Sequence, residues 1–115
     1  MALTPEQLKN IDAAGKGFLV IQRPPPEMRD RLDIDFRVEN QSVFIFEIRP
    51  RWGKQDEKRE SPVAKATYVQ TKNRWKIYWM RADLKWHGYE PSPEVKHITD
   101  FFKIVHEDAW GCFWG

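Results

Sequence analysis

Between residues 32 and 39, apolar and charged side chains alternate without exception, and this alternation constrains the fold more than any other feature. The even-numbered positions are apolar and the odd-numbered positions are charged. Because a β-strand places successive side chains on opposite faces, the pattern predicts a strand with one buried face. A second apolar run, 43–48, follows closely, and the two runs together predict an antiparallel hairpin.

A three-residue loop, Asn40-Gln41-Ser42, is the connection that we predict for this hairpin. It would gather the apolar residues of both strands on one face, whereas a two-residue loop would mix the faces and reduce burial. The predicted apolar pairs are Val38 with Phe44, Phe36 with Phe46, and Ile34 with Ile48. The predicted pairs on the opposite face are Asp35 with Glu47 and Asp33 with Arg49.

In residues 53–81 we predict an exposed loop followed by a second hairpin. Residues 53–61 are almost all charged or polar, and we expect them to form the loop. The β-rich runs 62–69 and 74–81 flank the turn residues 71–73 and predict two further strands. The sequence thus predicts four antiparallel strands.

Helices are predicted near both ends. Thr4, Pro5 and Gln7 form a helix start with a capping box, and the helix either ends near Ala14 or continues to Ile21. Prolines 24–26 predict an extended connector. The last helix is predicted to begin at Ser92 and Pro93, with a buried stripe formed by Val95, Ile98, Phe102 and Val105.

These elements predict one α+β domain over residues 1–115, in which both helices pack on one face of a mostly antiparallel sheet of about four strands.

Cys112 is the only cysteine, so an intrachain disulfide is excluded, which favours a reducing, cytoplasmic compartment. Residues 1–10 lack the features of a signal peptide, and no apolar run is long enough to span a bilayer. We therefore expect no membrane partner.

Several tryptophan-rich motifs resemble those of one protein family. They are EIRPRW at 47–52, PVAKATY at 62–68, WKIYWMRADLKWH at 75–87 and GCFWG at 111–115. The family is an uncharacterised group of small bacterial proteins of unknown function, and the resemblance extends from the proline connector onward. It implies a bacterial origin and a free-standing domain, without an activity, a ligand or a catalytic residue.

Positive charge is concentrated in the middle of the chain, where aromatic residues are interleaved with it. Eleven of the 19 lysines and arginines lie between residues 49 and 85, against four of the 17 acidic residues. Single-stranded nucleic acid is bound by this combination, because cations follow the phosphates while aromatic rings stack on bases. Strand alternation assigns Trp75, Ile77 and Trp79 to the core. The remaining candidates for nucleic-acid binding are Arg49, Arg51, Trp52, Lys65, Lys76, Tyr78, Arg81 and Lys85. The alternative is that the aromatic residues are structural and the charges form a solvated face.

A nuclease is a second hypothesis for the outer side of the first hairpin. Asp35 and Glu47 would hold Mg²⁺, and Lys65 would orient water or stabilise developing charge. The match is loose, since Arg49 follows Glu47 and Ile48 where the nuclease pattern has a lysine. An exposed ladder of ion pairs is the alternative.

Other polar residues give weaker indications. Asp83 is placed to orient His87 for acid–base chemistry, but without a nearby nucleophile we expect it to pair with Arg81 or to cap the following turn. His97 and His106 point to opposite sides of a helix, and Cys112 lacks a partner at zinc spacing. We therefore expect neither a metal site nor a cofactor.

The aromatic C-terminus is predicted to dock onto the domain through Phe113 and Trp114, with Cys112 as a small buried hydrophobe. If exposed, these residues would form a surface for self-association or for another protein partner. The function that the residues favour is a small, non-catalytic binding module for nucleic acid. The nuclease-like site and the protein-interaction domain are the alternatives.

Overall fold

Two helices and a six-stranded antiparallel sheet make up the part of the chain that this computed structural model describes, residues 3–114 without the side chain of Gln55. The helices are α1 (Pro5–Gln22) and α2 (Ile98–Glu107). The strands are β1 (Asp33–Glu39), β2 (Ser42–Arg51), β3 (Lys54–Val69), β4 (Arg74–Met80), β5 (Trp86–Gly88) and β6 (Glu94–Val95). Strands β1 to β5 are neighbours in chain order, and β6 pairs with β4. The predicted α+β class is confirmed, with two more strands than expected.

Both helices pack on one face of the sheet, which we call the inner face. The ring centroid of Phe102 on α2 lies 5.3 Å from that of Phe18 on α1 and 5.6 Å from that of Phe36 on β1. The inner residues of the central strands are almost fully buried: Val43, Ile45, Ala64, Ala66, Trp75 and Ile77. The prediction that Trp75 and Ile77 belong to the core is confirmed, and the half-buried Trp79 packs against it.

The first helix, α1, continues to Gln22, which agrees with the longer of its two predicted lengths. The Thr4 hydroxyl accepts a hydrogen bond from the Gln7 backbone, and the Gln7 side chain accepts one from the Thr4 backbone, so the capping box is confirmed. The connector after the helix is extended at Pro25 and then forms a 3₁₀ turn over Pro26–Met28. Within residues 3–114, no helix has both the length and the apolar composition needed to cross a membrane.

The three-residue loop predicted for the first hairpin is wrong. Asn40 and Gln41 form a two-residue connection, and the register pairs Val38 with Val43 and Phe36 with Ile45. Asn40 has a φ of 55°, which asparagine tolerates better than most residues, and this turn permits the shorter loop. The pairs predicted for the opposite face are wrong for the same reason: Asp35 lies opposite Phe46, and Asp33 lies opposite Ile48.

The loop predicted at residues 53–61 is also wrong, because these residues lie almost entirely in β3. Trp52 and Gly53 form the turn between β2 and β3, and Gly53 has a φ of 77°, which glycine adopts without steric cost. Pairing between β1 and β2 ends at Ile48, so residues 49–59 continue as a two-stranded ribbon that we call the arm. Pro50 is tolerated there because the ribbon leaves one side of β2 unpaired.

The second helix begins later than the predicted start at Ser92 and Pro93. Residues Glu94–Val95 form β6 instead and pair with Lys76 and Trp75 of β4. This pairing provides partners for an edge of β4 that would otherwise be unpaired, and the Ile77 backbone also donates a hydrogen bond to the Pro93 carbonyl. The buried helix residues are Ile98, Phe101, Phe102 and Val105, so Val95 does not belong to the helical stripe.

The two glycines in the middle of α1 should respond oppositely to alanine. A Cβ atom at Gly15 would clash with the ring of Phe36, whereas one at Gly17 would meet no atom within 4 Å. We expect Gly15→Ala to lower the free energy of unfolding by about 1 to 3 kcal/mol through overpacking. Gly17→Ala should raise it by about 0.5 to 1 kcal/mol, because alanine favours helix. Urea denaturation measures both, and equal stability of the two variants would contradict this packing.

Acid should weaken the contact between the end of α1 and the start of β1. Arg23 donates two hydrogen bonds, of 2.7 and 2.8 Å, to the Asp33 carboxylate, and they hold the pKa of that carboxyl below its ordinary value. A depressed carboxyl pKa stabilises the fold above the unfolded pKa and loses that effect as pH falls through the folded pKa. We expect the wild type to lose more free energy of unfolding than Asp33→Asn between about pH 5 and pH 2. Denaturant titrations across this range test it, and parallel pH profiles would contradict it.

Candidate nucleic-acid interface

The arm holds three of the predicted site residues, Arg49, Arg51 and Trp52. Trp52 is 100% exposed at the tip of the ribbon, between two cationic residues of the flanking strands. Arg49 lies directly opposite Arg59, a cross-strand pairing of like charges that costs stability. The arm is therefore a ribbon that carries positive charge along its sides and an unburied indole at its end.

A cavity of about 770 Å³ extends along the arm, from the connector that leads to β1 to the turn at Trp52 and Gly53. Its lining includes the cations Arg31, Arg49, Arg51 and Lys58 and the carboxylates of Asp30 and Asp56. Lys58 donates a 2.8 Å hydrogen bond to the Asp30 backbone carbonyl, which joins the connector to the arm. Glu57 pairs with Arg51 at 3.2 Å, but Arg31 and Arg59 have no carboxylate within 4 Å among the described residues.

Lys65 and Tyr78 lie on the outer face, the side of the sheet opposite the helices. A row of directly paired residues crosses four strands there: Arg37, Phe44, Lys65 and Tyr78. The Lys65 ammonium lies 4.8 Å from the ring centroid of Tyr78 and 5.0 Å from that of Trp86. Burial lowers the pKa of Lys65, because the surrounding rings replace water. Lys65 and Tyr78 therefore share the outer face.

Aromatic side chains give the outer face an apolar character that is unusual for the open side of an antiparallel sheet. The rings of Phe44 and Trp86 lie 6.1 Å apart, and Phe46 is buried beneath the guanidinium of Arg37, which lies 4.6 Å above its ring. Arg37 is in turn held by Glu60 at 2.6 Å. Lys65 has no such carboxylate partner within the described part of the chain, so its charge is compensated only by the neighbouring rings.

The remaining candidates lie at opposite ends of the sheet. Lys76 pairs with Thr67 on β3 and with Glu94 on β6, away from the arm. Arg81 and Lys85 lie in the turn after β4, and because β4 runs antiparallel to β3, this turn is at the end of the sheet from which the arm extends. The eight candidates thus divide between the arm, the outer face and this turn, rather than forming a single surface.

The observed register separates the two carboxylates that the nuclease hypothesis requires. Glu47 pairs with the buried Ile34, so its side chain and that of Asp35 point to opposite faces of the sheet. Glu47 lies 3.5 Å from Arg49 in an ordinary ion pair. Residues 3–114 contain no group of three or more His, Cys, Asp or Glu side chains arranged to hold a metal ion.

Asp83 caps the turn that follows it, which is one of the two roles predicted for this residue. It also contacts His87. The carboxylate accepts a 3.0 Å hydrogen bond from the Lys85 backbone and lies 2.8 Å from His87 Nε2. The hydrogen bond to His87 lowers the pKa of Asp83. Burial raises the pKa of the half-buried Cys112, which disfavours the thiolate form that a nucleophile needs.

The aromatic C-terminus docks onto the domain, as predicted. Asp108 ends α2 in the left-handed conformation, and its carboxylate accepts backbone hydrogen bonds of 3.0 Å from Phe113 and Trp114. The Trp114 indole donates a 2.8 Å hydrogen bond to the Val105 carbonyl, while Phe113 is buried in the core. Phe113 and Trp114 are therefore held against the domain, whereas Trp110, just before them in the chain, is exposed.

The eight candidate residues leave out several others that belong to these surfaces. Lys58 and Arg59 add charge to the arm and Arg31 lies beside it, while Phe44, Phe46 and Trp86 form the aromatic part of the outer face. Gly53 was the one local signal for the turn of the arm, because glycine is the usual residue where a tight turn needs a positive φ.

Residues 3–115 match the family model described as Domain of unknown function (DUF3024), so the chain belongs to that family. The resemblance predicted from the sequence motifs is confirmed to this extent. No curated protein and no solved structure matches the chain.

Asp108 should control the docking of the aromatic tail. We expect Asp108→Ala to lower the free energy of unfolding by about 2 to 4 kcal/mol, through two lost charge-assisted hydrogen bonds and an unfavourable positive φ. Asp108→Asn keeps an acceptor oxygen and tolerates this φ, so its loss should be less than half as large. Hydrogen exchange at the Trp114 indole N–H reports on the tail directly. An indole that stays protected in Asp108→Ala would contradict the role given to this carboxylate.

Proposed function

We propose that this member of DUF3024 binds nucleic acid and that the arm is its principal contact. The observation that carries the proposal is the complete exposure of Trp52 at the tip of a cationic ribbon. An indole that buries no surface contributes nothing to folding and is costly to expose. Its position is explained if it stacks on a base or inserts between two bases.

The charges of the arm support the same ligand. Arg49 faces Arg59 across the ribbon and is also paired with Glu47 at 3.5 Å. Arg31 lines the same cavity as Arg49 and has no carboxylate partner in the described structure. Like charges held this close repel one another in the free protein. Phosphate groups would remove this repulsion and would release the counterions that surround them, which is the main source of affinity for nucleic acids.

The shape of the arm fits a nucleic-acid groove. Beyond Ile48 the arm has no neighbouring strand on either side among the described residues, and most of its described side chains are exposed. The major groove of a duplex admits a two-stranded ribbon of this kind. An exposed indole also stacks on the unpaired bases of a single strand, and the test therefore uses both forms.

The other candidate residues extend the contact beyond the arm. Arg81 and Lys85 lie at the same end of the sheet, and Lys65 and Tyr78 follow along the outer face of β3 and β4. A nucleic-acid strand that leaves the arm along β3 would place a phosphate near Lys65, whose ammonium has only aromatic neighbours.

Because the chain has a single cysteine and bacterial-type motifs, we place this activity in a bacterial cytoplasm.

Fluorescence anisotropy with labelled single-stranded and duplex oligonucleotides tests the proposal. We expect binding that weakens steeply between about 50 and 200 mM salt. Replacing Arg49, Arg51 and Arg59 together by glutamine should lower the affinity at least about tenfold and reduce the salt slope by about 2 to 3. Trp52→Ala should cost about 1 to 3 kcal/mol of binding free energy, whereas Trp52→Phe should retain most of the affinity.

The matched control is the triple variant in which Lys9, Lys96 and Lys103 become glutamine. These exposed lysines lie on or next to the helices, and their loss changes the net charge by the same amount as loss of the three arginines. We expect this control to bind nearly as well as the wild type. Equal weakening of both triple variants, or no binding at low salt, would refute the arm as a binding site.

A further inference from the structure

A second cleft lies on the other edge of the sheet, between β4, β5 and the C-terminal tail, and we call it the Tyr89 cleft. It has a volume of about 320 Å³, which is at the lower end of the range for small-molecule sites. The lining residues that bear on its chemistry are Trp79, Arg81, His87, Tyr89, Glu90 and Trp110. None of them belongs to the arm, and Arg81 is the one lining residue that is also a candidate for the nucleic-acid contact.

Tyr89 supplies the most informative group in the cleft. Its side chain is only 2% exposed, and its ring packs 4.9 Å from that of Phe113. No buried polar side-chain atom in the described structure lacks a hydrogen-bond partner. The Tyr89 hydroxyl has no partner among the described residues, so it must reach open space, and the cleft that Tyr89 lines provides that space. Burial raises the pKa of Tyr89, so the hydroxyl keeps its proton and remains a donor.

The other lining groups provide a cation and a flat aromatic surface. The Arg81 guanidinium lies 5.4 Å from the ring centroid of Trp79 and has no carboxylate within 4 Å among residues 3–114. Trp110 is 66% exposed at the rim, which leaves one of its faces free for stacking. His87 is held at the wall by Asp83, at 2.8 Å. Glu90 is the one carboxylate in the lining, and it is exposed.

We propose that the Tyr89 cleft binds a small planar ring that carries one anionic group. The anion would accept hydrogen bonds from the Arg81 guanidinium and the Tyr89 hydroxyl, which are the two unpartnered donors that line the cleft. The ring would stack on Trp110. A nucleoside monophosphate and an aromatic carboxylate both have this chemistry, and they differ in the charge and shape of the anion.

Isothermal titration calorimetry with adenosine 5′-monophosphate and with indole-3-carboxylate tests the proposal and separates the two sources. At least one probe should bind with a dissociation constant below about 1 mM. The ligand without its anionic group, adenosine or indole, should bind at least about tenfold more weakly, because it loses the contact with Arg81. The indole N–H signal of Trp110 should shift in nuclear magnetic resonance spectra of the complex.

Two variants and a control locate the binding. Arg81→Gln should weaken the tighter probe at least about tenfold, and Tyr89→Phe about three- to tenfold, since only a hydroxyl is removed. Tyr89→Phe keeps the ring that packs on Phe113, so it should fold as the wild type does. Lys9→Gln removes an exposed cation of α1 that does not line the cleft, and this variant should bind the probe normally. The absence of saturable binding to both probes, or binding that neither cleft variant weakens, would overturn the proposal.

Discussion

The two-residue turn at Asn40 and Gln41 is the constraint on which the rest of the sheet depends. It sets the register of β1 on β2, and a shift by one residue would place the apolar face of one strand on the opposite side from that of the other. The observed register sends Val43 and Ile45 into the core under the helices. It leaves Phe44 on the outer face, where its ring lies near Trp86, on the same face as Lys65. Thus one turn determines both the hydrophobic core and the composition of the open side of the sheet.

The parts of the fold that were predictable are those with one clear periodicity or a local capping signal. The alternation at 32–39, the Thr4 cap and the core position of Trp75 are of this kind. The register was not predictable by counting apolar residues, because 43–46 is apolar at every position and either alignment buries some of it. Residues 53–61 lacked any strand signal, since a ribbon exposed on both faces has no apolar side to reveal it.

The residue types of the candidate site were predicted from the sequence, but their arrangement in space was not. The cations and aromatic residues of the central segment were identified, yet sequence spacing alone placed them on one surface, while the structure divides them among the arm, the outer face and the turn at Arg81. Tyr89 gave no signal, because only the packed structure shows that its ring is buried while the residue lines a cleft. Long-range packing is therefore what converts a basic, aromatic segment into separate sites of different chemistry.

Strand β1 forms an outer edge of the sheet, because only β2 pairs with it in the described structure. An unpaired edge offers backbone hydrogen bonds to any other extended chain and is a common starting point for aggregation. Four of the seven β1 residues are charged, and Arg23 is bound to the first of them, Asp33. Charges at this density oppose the approach of a second apolar strand. The same alternation that buries one face of β1 thus also protects the domain from joining its neighbours edge to edge.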